Sequence, residues 1–230
     1  MTEPELVKAE FHCHTGQSKD SLVTLDKLIA TCHKKGIQRL AVTDHNSLDG
    51  ALHAQQLDPA LIIVGEEIMT LQGELLGYFL QEAIPAGLSA QEAIERLRSQ
   101  RAFISVSHPF DTLRAGHWKI EDLTEIASRV DAIEVFNSRC MDSKANTQAA
   151  EFAKHHNLPG TVGSDSHTLR EVGKSSLILP QFDDTYSLKL ALKEAQFEVN
   201  LSSPWVHFSS SYARWYKKRR LRSKKSQPTT

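Results

Sequence analysis

The sequence predicts an α/β fold in which a mostly parallel sheet closes into a barrel with slightly fewer than eight strand–helix units. Segments with strand-like patterns alternate with amphipathic helical segments along roughly the first 200 residues. The strands are rich in β-branched residues, as expected for a sheet covered on both faces. About seven strands fit into this length, fewer than a full (β/α)8 barrel requires. An open, doubly wound sheet fits the same pattern, because periodicity does not give strand order.

The predicted elements follow one another in regular alternation. Strands are predicted at residues 8–14, 39–45, 61–67, 102–109, 131–137 and 160–167, and a hairpin at 67–80 around Gln72 and Gly73. Helices are predicted at residues 24–36, 46–57, 89–100, 120–128, 144–155 and 186–195. The helix at 89–100 begins with a capping box formed by Ser89 and Glu92. No Pro-, Gly- or Ser-rich linker occurs before about residue 200, so we expect a barrel domain over residues 1–200 and an extension over residues 201–230.

The composition is that of an ordinary globular protein, since the 230 residues are 40% hydrophobic and 24% charged. Collagen-like, low-complexity and wholly disordered classes are thereby excluded. No apolar run approaches the ~18–20 residues of a membrane span, and residues 1–10 are too acidic for a secretion signal. The cysteines Cys13, Cys32 and Cys140 are too few for a disulfide framework. We therefore expect a cytoplasmic protein without a membrane span.

The net charge of −1 conceals an asymmetry between the two ends of the chain. Residues 214–230 contain eight Lys and Arg and no acidic residue, which leaves 19 Lys and Arg against 28 Asp and Glu in residues 1–213, a formal charge of −9. Five aromatic residues accompany this basic run: Trp205, Phe208, Tyr212, Trp215 and Tyr216. We expect a helix docked on the barrel by its aromatic side chains and followed by a frayed basic end. The basic end is either a solvated terminus or a phosphate-backbone contact that recruits RNA or DNA, and the short apolar face disfavours membrane binding.

Side chains with metal-binding chemistry stand at the ends of the predicted strands. They are His12 and His14, Asp44 and His45, Glu66 and Glu67, His108, Asn137, and Asp165 with His167. Because the carboxyl ends of parallel strands meet on one face of a barrel, we expect these side chains to line one cleft. Clustered imidazoles and carboxylates are costly unless a cation neutralises them. Mixed His and carboxylate ligands fit zinc, manganese or iron, whereas an all-oxygen site would fit magnesium.

Five short motifs in this set occur in a fixed order along the chain. They are H-x-H at residues 12–14, T-D-H at 43–45, G-x-E at 65–67, S-H-P at 107–109 and G-S-D-x-H at 163–167. The series resembles the PHP superfamily, the polymerase and histidinol phosphatase family of metal-dependent phosphoesterases. Stretches such as TDHNSLDG and GSDSHTLREVG are most similar to its small stand-alone members. The resemblance implies a distorted (β/α)7 barrel, similar to a TIM barrel, with the metal cluster at the C-terminal ends of the strands.

The resemblance also implies which residues bind two or three divalent ions. The ligands of the first metal would be His12, His14, Glu67 and Asp165. The second metal would share Glu67 and add His108. The third would be bound by His45, His167 and Asp20, because the family often places a ligand about six residues after H-x-H. Mn²⁺, Zn²⁺ or Fe²⁺ is expected, and Mg²⁺ less so.

Two positions in this set leave alternatives open. Glu67 matches the G-x-E motif, but a one-residue slip in the strand would turn Glu66 into the cleft instead. Many family members complete the second site with a histidine after the E-V-x-N strand, where this chain has Asn137, Ser138, Arg139 and Cys140. Cys140 is either a thiolate ligand or a small buried hydrophobic residue. If Cys140 does not bind, the second metal is held more loosely or is absent.

The chemistry of such a cluster suits phosphate esters. Two metal ions about 3.5–4 Å apart can hold a hydroxide near neutral pH and clamp the attacking and leaving oxygens in line. The candidates for binding the substrate phosphate are Arg139, Arg114 and Lys19, although each could instead be a solvated surface cation. The candidate catalytic residues are Asp165, His45 and His167, of which either histidine could pass a proton to the leaving oxygen.

We therefore expect a metal-dependent phosphoesterase that hydrolyses a phosphomonoester, such as a nucleotide or another small phosphate, or a short oligonucleotide by attack of metal-bound hydroxide. A 5′–3′ exonuclease acting on RNA or DNA ends is the alternative. An amidohydrolase also carries H-x-H after its first strand, but that family typically adds a metal-bridging lysine where this chain has Glu66 and Glu67. A metal-containing interaction module without activity is the non-enzymatic alternative, and the nearly complete ligand set argues against it.

Overall fold

The fold is organised around one sheet of nine strands, seven of which curve into a nearly closed barrel. The structure, a computed structural model, describes residues 5–225, with residue 143 and residues 221–225 described by their backbone alone. The strands in that range are β1 (Leu6–Cys13), β2 (Arg39–Val42), β3 (Ile62–Met69), β4 (Glu74–Tyr78), β5 (Phe103–Val106), β6 (Ala132–Asn137), β7 (Gly160–Gly163), β8 (Ser175–Pro180) and β9 (Gln196–Val199). The helices are α1 (Leu25–Lys34), α2 (Asp49–Leu57), α3 (Ala90–Ser99), α4 (Ile120–Ile126), α5 (Ser143–His155), α6 (Thr185–Ala191) and α7 (Val206–Lys225).

The order of the strands confirms the predicted α/β barrel. The sheet runs β7-β6-β5-β4-β3-β2-β1-β8-β9, with β1 to β3 mutually parallel and β5 to β7 mutually parallel. β4 pairs antiparallel with both β3 and β5, which confirms the predicted hairpin. The segment after β7 returns to β1, where Asp165 N donates to His12 O at 2.9 Å and His14 N donates to Ser166 O at 2.9 Å. These two bonds close the barrel at the end where the strand-end residues lie.

β8 and β9 were not predicted from the sequence. β8 pairs antiparallel with the first half of β1, through Leu6 to Ala9, and β9 pairs with the outer edge of β8. The edge of β1 that does not pair with β2 therefore has two partners. The first half of β1 pairs with β8, and its last residues hydrogen-bond the segment after β7. The barrel is distorted because its closure is confined to one end.

Apolar residues on alternate strand positions divide the core into two layers. One cluster inside the barrel includes Phe11, Ala41, Ile63, Tyr78 and Phe103. The other lies between the sheet and the surrounding helices and takes the intervening positions of the same strands. Side chains alternate across a strand, so each interior position also fixes which polar residue further along that strand enters the cleft.

A β-bulge in β1 resets this alternation near the cleft. Val7, Ala9 and Phe11 face the barrel interior, so strict alternation would turn His12 toward the helices. The register of β1 against β2 shifts between Glu10 and Cys13, and Cys13 instead joins the helix-side core. The extra residue lets both His12 and His14 enter the cleft, a common use of bulges beside functional sites.

The C-terminal helix α7 docks differently from the prediction. We expected its aromatic residues to pack on the barrel, and this was wrong: Trp205, Phe208, Tyr212, Trp215 and Tyr216 are all 40–74% exposed. Among residues 206–220 of this helix, the buried residues are Ser210 and Ala213. Lys217 Nζ reaches back to the carbonyl oxygens of Gly16 and Ser18, each at 2.5 Å. The side chains of the basic residues after Arg220, and residues 226–230, lie outside the described residues.

The helices α3 and α1 begin with different capping arrangements. The capping box of α3 is present, because Glu92 N donates to Ser89 Oγ at 3.2 Å and Ser89 N donates to Glu92 Oε2 at 3.0 Å. Thr24 occupies the N-cap position of α1 without a side-chain capping bond. Among the described helices, none combines the length and apolar composition that crossing a membrane requires.

Candidate metal centre

Glu67 lies at the centre of a buried cluster at the closed end of the barrel. Interior alternation along β3 places Ile63, Gly65 and Glu67 on the same face, so Glu67 enters the cleft. Its carboxylate oxygens lie close to four imidazole nitrogens: His45 Nδ1 at 2.9 Å, His108 Nε2 at 3.0 Å, His12 Nε2 at 3.3 Å and His14 Nε2 at 3.4 Å. The side chain is fully buried. A single carboxylate surrounded by four imidazoles is a donor arrangement that would hold divalent metal ions.

Two further carboxylates complete the cluster on the side of His14. Asp165 Oδ1 lies 3.1 Å from His14 Nε2 and 3.7 Å from His12 Nε2. Asp20 Oδ1 lies 3.3 Å from His167 Nε2 and 3.6 Å from His45 Nε2. Asp165 has a φ of 51°, a left-handed conformation that Asp tolerates better than most residues and that accompanies functional sites.

Hydrogen bonds behind the cluster fix the orientation of its histidines. His12 Nδ1 donates to Glu134 Oε1 at 2.9 Å, and His14 Nδ1 donates to Ser18 Oγ at 3.1 Å. With the proton on Nδ1 in each neutral ring, both Nε2 lone pairs point at the same space, where the two nitrogens are 3.1 Å apart. Such carboxylate and hydroxyl partners are the usual support of metal-binding histidines.

Three buried carboxylate oxygens in the cluster have no hydrogen-bond donor in the described part of the chain: Glu67 Oε2, Asp165 Oδ1 and Asp20 Oδ1. A buried carboxylate oxygen without a donor is strongly unfavourable unless a cation lies beside it. All three oxygens face imidazole nitrogens rather than protein donors. The donor set therefore fits divalent metal ions, because both the oxygens and the nitrogens present lone pairs to the same space.

The ligand atoms fall into four overlapping groups among the described residues. These groups are His12–His14–Asp165, His12–Glu67–His108, His14–His45–His167 and His45–Glu67–Glu74. The first three contain ligands that the resemblance implied for the first, second and third metals. All the residues expected to bind metal enter this cluster except Cys140, since Asp20 joins it through His45 and His167.

The electrostatics of the cluster also call for a positive charge. Burial opposes protonation of His12, but Glu67, Glu134 and Asp165 outweigh it and hold the His12 pKa well above its usual range. Burial would raise the pKa of Glu67 and of Asp165. The charges of His12 and His45 hold the Glu67 pKa well below the ordinary carboxyl range, and those of Arg114 and His12 do the same for the Asp165 pKa. His14 behaves differently: burial and the neighbouring His167 and His45 lower its pKa to about 3, so it stays neutral with a free lone pair.

Two glutamates of the site were missed by the sequence reasoning. Glu74 Oε2 lies 3.6 Å from His108 Nε2, and Glu74 Oε1 lies 4.0 Å from His45 Nδ1. A returning hairpin strand begins where the outgoing strand ends, so the pairing of Met69 with Glu74 brings Glu74 to the cleft. Glu134 supports the site instead: its Oε2 accepts from His108 N at 2.8 Å and Asn137 Nδ2 at 3.1 Å. The predicted hairpin was the sequence signal that could have located Glu74, and the E-V-x-N strand was the signal for Glu134.

Two strand-end carboxylates face away from the cluster. Glu66 points toward the helix side, where its Oε2 accepts from Ile84 N at 2.8 Å. Asp44 accepts from Thr15 N at 2.8 Å and from Ser18 Oγ at 2.5 Å, which holds the loop that carries the partner of His14. Strand alternation therefore selects Glu67 over Glu66 and gives Asp44 a supporting position.

Cys140 is buried but belongs to none of the four ligand groups in the described chain. Burial and the nearby Asp111 raise the pKa of its thiol, so without a bound cation it is neutral. Asn137, in the same loop, donates from Nδ2 to Asp165 Oδ2 at 3.3 Å. Of these two residues, Asn137 therefore contacts the cluster directly.

A cavity of about 380 Å³ opens above the cluster, and several cationic side chains line it. Its lining includes Lys19, Asp20, His45, Glu74, Arg114 and Arg214. Arg114 Nη1 lies 2.5 Å from Asp165 Oδ2, and Arg114 Nε lies 3.0 Å from Asp111 Oδ2. Lys19 is exposed at the rim. Arg214, which the sequence reasoning did not single out, reaches the same cavity from α7 and lies 3.3 Å from Asp20 Oδ2.

Arg139 also borders this cavity, but protein partners engage its guanidinium. Arg139 Nη2 donates to Ser210 Oγ at 2.8 Å and to Val206 O at 3.3 Å, and Nε lies 3.3 Å from Glu171 Oε1. Its Nη1 contacts His167 Nδ1. The side chain is only 4% exposed. Its contacts therefore tie α7 to the cluster.

Comparisons with known proteins agree with this geometry. The family model described as the PHP domain matches residues 10–108, and the model described as PHP-associated matches residues 143–195. The chain is 38% identical to the uncharacterized protein MJ0417 of Methanocaldococcus jannaschii over 172 residues, which covers 74% of this chain and 69% of that protein. It is 34% identical to MJ1587 of the same organism over 157 residues, covering 62% of this chain and 89% of that protein.

Solved structures share the fold at low sequence identity. A two-domain protein from Bacteroides vulgatus containing a predicted PHP-like metal-dependent phosphoesterase superposes with a TM-score of 0.69 at 18% identity, covering 86% of this chain and 66% of that one. The lesion-specific endonuclease PfuEndoQ from Pyrococcus furiosus superposes with a TM-score of 0.59 at 17% identity, covering 87% of this chain and 60% of that one. This chain thus spans less than two thirds of either protein. The matching family models, the identity to the two archaeal proteins and the ordered motifs together show that this chain belongs to the PHP family.

Proposed function

We propose that this chain is a metal-dependent phosphoesterase that hydrolyses a phosphomonoester or the end of a short oligonucleotide. The observation that carries the proposal is the convergence of four imidazoles on Glu67 beneath a cavity lined by Arg114 and Lys19. Divalent ions bound there would supply Lewis-acid activation of water and of the phosphoryl oxygens. The anionic substrate also needs fixed cations, because its charge repels an attacking hydroxide.

Of the predicted phosphate-binding residues, Arg114 is placed best. Its guanidinium lines the cavity and already pairs with Asp165 Oδ2, so a phosphate bound above the cluster would lie within its reach. Lys19 is suited to a more distant phosphate oxygen at the rim. We assign Arg139 a supporting role, since its hydrogen bonds to α7 and to Glu171 occupy the planar group.

Of the two candidate proton donors, His45 is the more accessible. Its side chain is 18% exposed to the cavity, against 4% for His167. His167 Nδ1 donates to the backbone oxygen of Asp165 at 2.8 Å and is held beside Arg139. We assign His45 Nε2 the transfer of a proton to the leaving oxygen when it does not bind metal. His45→Ala should then slow phenyl phosphate, with its poor leaving group, more than p-nitrophenyl phosphate.

The amidohydrolase alternative lacks a group that is typical of that family. That family typically bridges its metals with a lysine, and no lysine is buried in the described part of this chain. Glu67 occupies the central position instead. The buried cluster thus favours the phosphoesterase.

The test is hydrolysis of p-nitrophenyl phosphate and bis-p-nitrophenyl phosphate by metal-stripped protein reconstituted separately with Mn²⁺, Zn²⁺ or Mg²⁺. Asp165→Asn is the inactive variant, and Asp183→Asn, at an exposed aspartate, is its matched control. We expect metal-dependent turnover that Asp165→Asn lowers by about 100-fold or more and Asp183→Asn leaves unchanged. Absence of turnover with every metal, in protein shown to bind metal, would overturn the proposal. The ratio of monoester to diester turnover separates a phosphatase from a nuclease.

A further inference from the structure

The helix α7 has two opposite faces with different chemistry. The inner face carries Ser210 and Ala213, which are buried, and Lys217, which bonds the loop after β1. At 100° per residue, positions 208, 212, 215 and 219 lie on the side opposite to positions 206, 210, 213 and 217. This side therefore carries Phe208, Tyr212, Trp215 and Arg219, of which Phe208 and Tyr212 also border the barrel across a small cavity. Trp205 and Tyr216 are exposed beside them.

The exposed rings form two contact groups that follow one another along this side of the helix. The ring centroids of Trp205 and Phe208 are 5.4 Å apart, and those of Tyr212 are 5.8 Å from Trp215 and 6.2 Å from Tyr216. The Arg219 guanidinium carbon lies 4.7 Å from the centroid of Trp215. We call these six side chains the aromatic row: Trp205, Phe208, Tyr212, Trp215, Tyr216 and Arg219. Exposed aromatic surface on this scale marks an interaction site.

The charge around the aromatic row favours an anionic partner. Residues 206–225 contain no acidic residue, and Lys218 and Arg219 are exposed beside the rings. Residues 1–205 carry a formal charge of −9, since residues 206–213 contain no Lys, Arg, Asp or Glu. A polyanion is therefore attracted to this helix and repelled by much of the remaining surface.

The helix that carries the aromatic row also borders the metal centre. The inner side of α7 lines the main cavity through His207, Ser210, Ser211 and Arg214. Phe208 and Tyr212 line a second cavity of about 360 Å³ that also contains His167, one of the clustered histidines. A chain lying on the aromatic row is thus within one helix diameter of the proposed catalytic cavity.

We propose that the aromatic row binds single-stranded nucleic acid, with bases stacked on the rings and phosphates paired with Lys218 and Arg219. Stacking on aromatic side chains beside a cationic track is the common way to hold single strands without sequence preference. A membrane is disfavoured because Arg219 lies within the aromatic face, so insertion of the rings into lipid would bury its guanidinium. This inference rests on the proposed function only in assigning the bound strand as substrate.

The test measures binding separately from hydrolysis. Full-length protein is stripped of metal and kept in EDTA, and the anisotropy of fluorescein-labelled 12-mer oligo(dT) and oligo(U) gives the Kd. We expect Trp215→Ala to raise the Kd about fivefold or more, and Trp215→Phe to restore most of the affinity because it keeps a ring. Tyr186→Ala removes an aromatic residue that is 71% exposed on α6 and is the matched control, with no expected change. Lys218→Gln should lower the slope of log Kd against log salt by about 0.7.

Three outcomes would overturn the inference. A Kd that Trp215→Ala leaves unchanged would show that binding is electrostatic alone. Absence of oligonucleotide binding, together with ring-dependent binding to vesicles of phosphatidylserine and phosphatidylcholine, would identify a membrane surface. Concentration-dependent dimerisation lost in Trp215→Ala, seen by sedimentation without oligonucleotide binding, would identify a second copy as the partner. Failure of the aryl phosphate assay would leave the binding result standing, so the two proposals fail separately.

Discussion

Replacing Glu134 by glutamine tests whether the support behind the metal centre controls its ligands. Glu134 Oε1 accepts from His12 Nδ1 at 2.9 Å, and its Oε2 accepts from His108 N at 2.8 Å and from Asn137 Nδ2 at 3.1 Å. A glutamine amide has one acceptor oxygen, so it cannot accept from both sides. If its oxygen faces His12, its NH₂ group meets the two other donors. If its NH₂ group faces His12, the imidazole must carry its proton on Nε2 and loses the lone pair that faces the cluster.

Either orientation lowers metal affinity without removing a ligand. Losing such an outer partner typically costs 10- to 100-fold in metal affinity or activity, which corresponds to about 1.4–2.7 kcal/mol. Both carboxylate oxygens of Glu134 accept hydrogen bonds, and the side chain is almost completely buried. We therefore expect a loss of metal affinity in the upper part of this range. Because the cluster stays buried, the protein should remain folded by circular dichroism.

Competition with a chelating dye would give the Mn²⁺ and Zn²⁺ affinities of Glu134→Gln and wild-type protein, with p-nitrophenyl phosphate turnover measured in parallel. Glu198→Gln is the matched control, because Glu198 lies on the sheet at the surface and pairs with Lys8. A Glu134→Gln variant with metal affinity within twofold of wild type would refute the assigned role of Glu134.

Other perturbations of the site have expected outcomes of the same kind. Glu67→Gln should abolish turnover and lower the metal affinity about 100-fold, with bound metal measured by inductively coupled plasma mass spectrometry. Glu66→Gln should retain both turnover and metal, because Glu66 faces Ile84. Equal losses in the two variants would refute the assigned orientation of β3. Gly163→Ala should destabilise the fold by about 1–3 kcal/mol in urea unfolding, since an added Cβ meets His12 and Glu134, and an unchanged midpoint would contradict that close approach. Arg139→Lys loses the planar fork that holds α7, so limited proteolysis should cut α7 faster than in the surface control Arg129→Lys; equal rates would count against this docking contact. Mn²⁺ at about 100 times its Kd should stabilise the metal-stripped protein by about 2.7 kcal/mol, and no rise in Tm would argue against a preformed site.

The outcome for Cys140 illustrates why loop residues resist prediction. Its place after the E-V-x-N strand made it a candidate ligand. Its side chain is buried, as is expected for a ligand and for a small hydrophobic residue alike. Asn137, three residues earlier, contacts Asp165 instead. Which loop atom reaches a metal depends on the turn after β6, and that turn is set by contacts with α5, where Asn146 Oδ1 accepts from Asn137 N at 2.9 Å.

The sequence by itself determined the α/β class and, through its resemblance to the PHP superfamily, most of the ligand set. Hydrophobic alternation located β1 to β7, and the parallel arrangement required their carboxyl ends, with His12, His45 and Glu67, to meet on one face. The G-x-E motif favoured Glu67 over Glu66, but the register of β3 in the folded sheet decided which carboxylate enters the cleft.

Only the tertiary structure decided the features that depend on long-range pairing. The antiparallel return of β4 brings Glu74 to the cleft, and β8 covers the half of β1 that β7 leaves open. The docking face of α7 was wrongly predicted for the same reason. Its aromatic residues are the most hydrophobic part of the helix, yet the bonds of Arg139 to Ser210 and of Lys217 to the loop after β1 orient it the other way. Local sequence gives the period of a helix, whereas the partners available on the folded barrel decide which of its faces is buried.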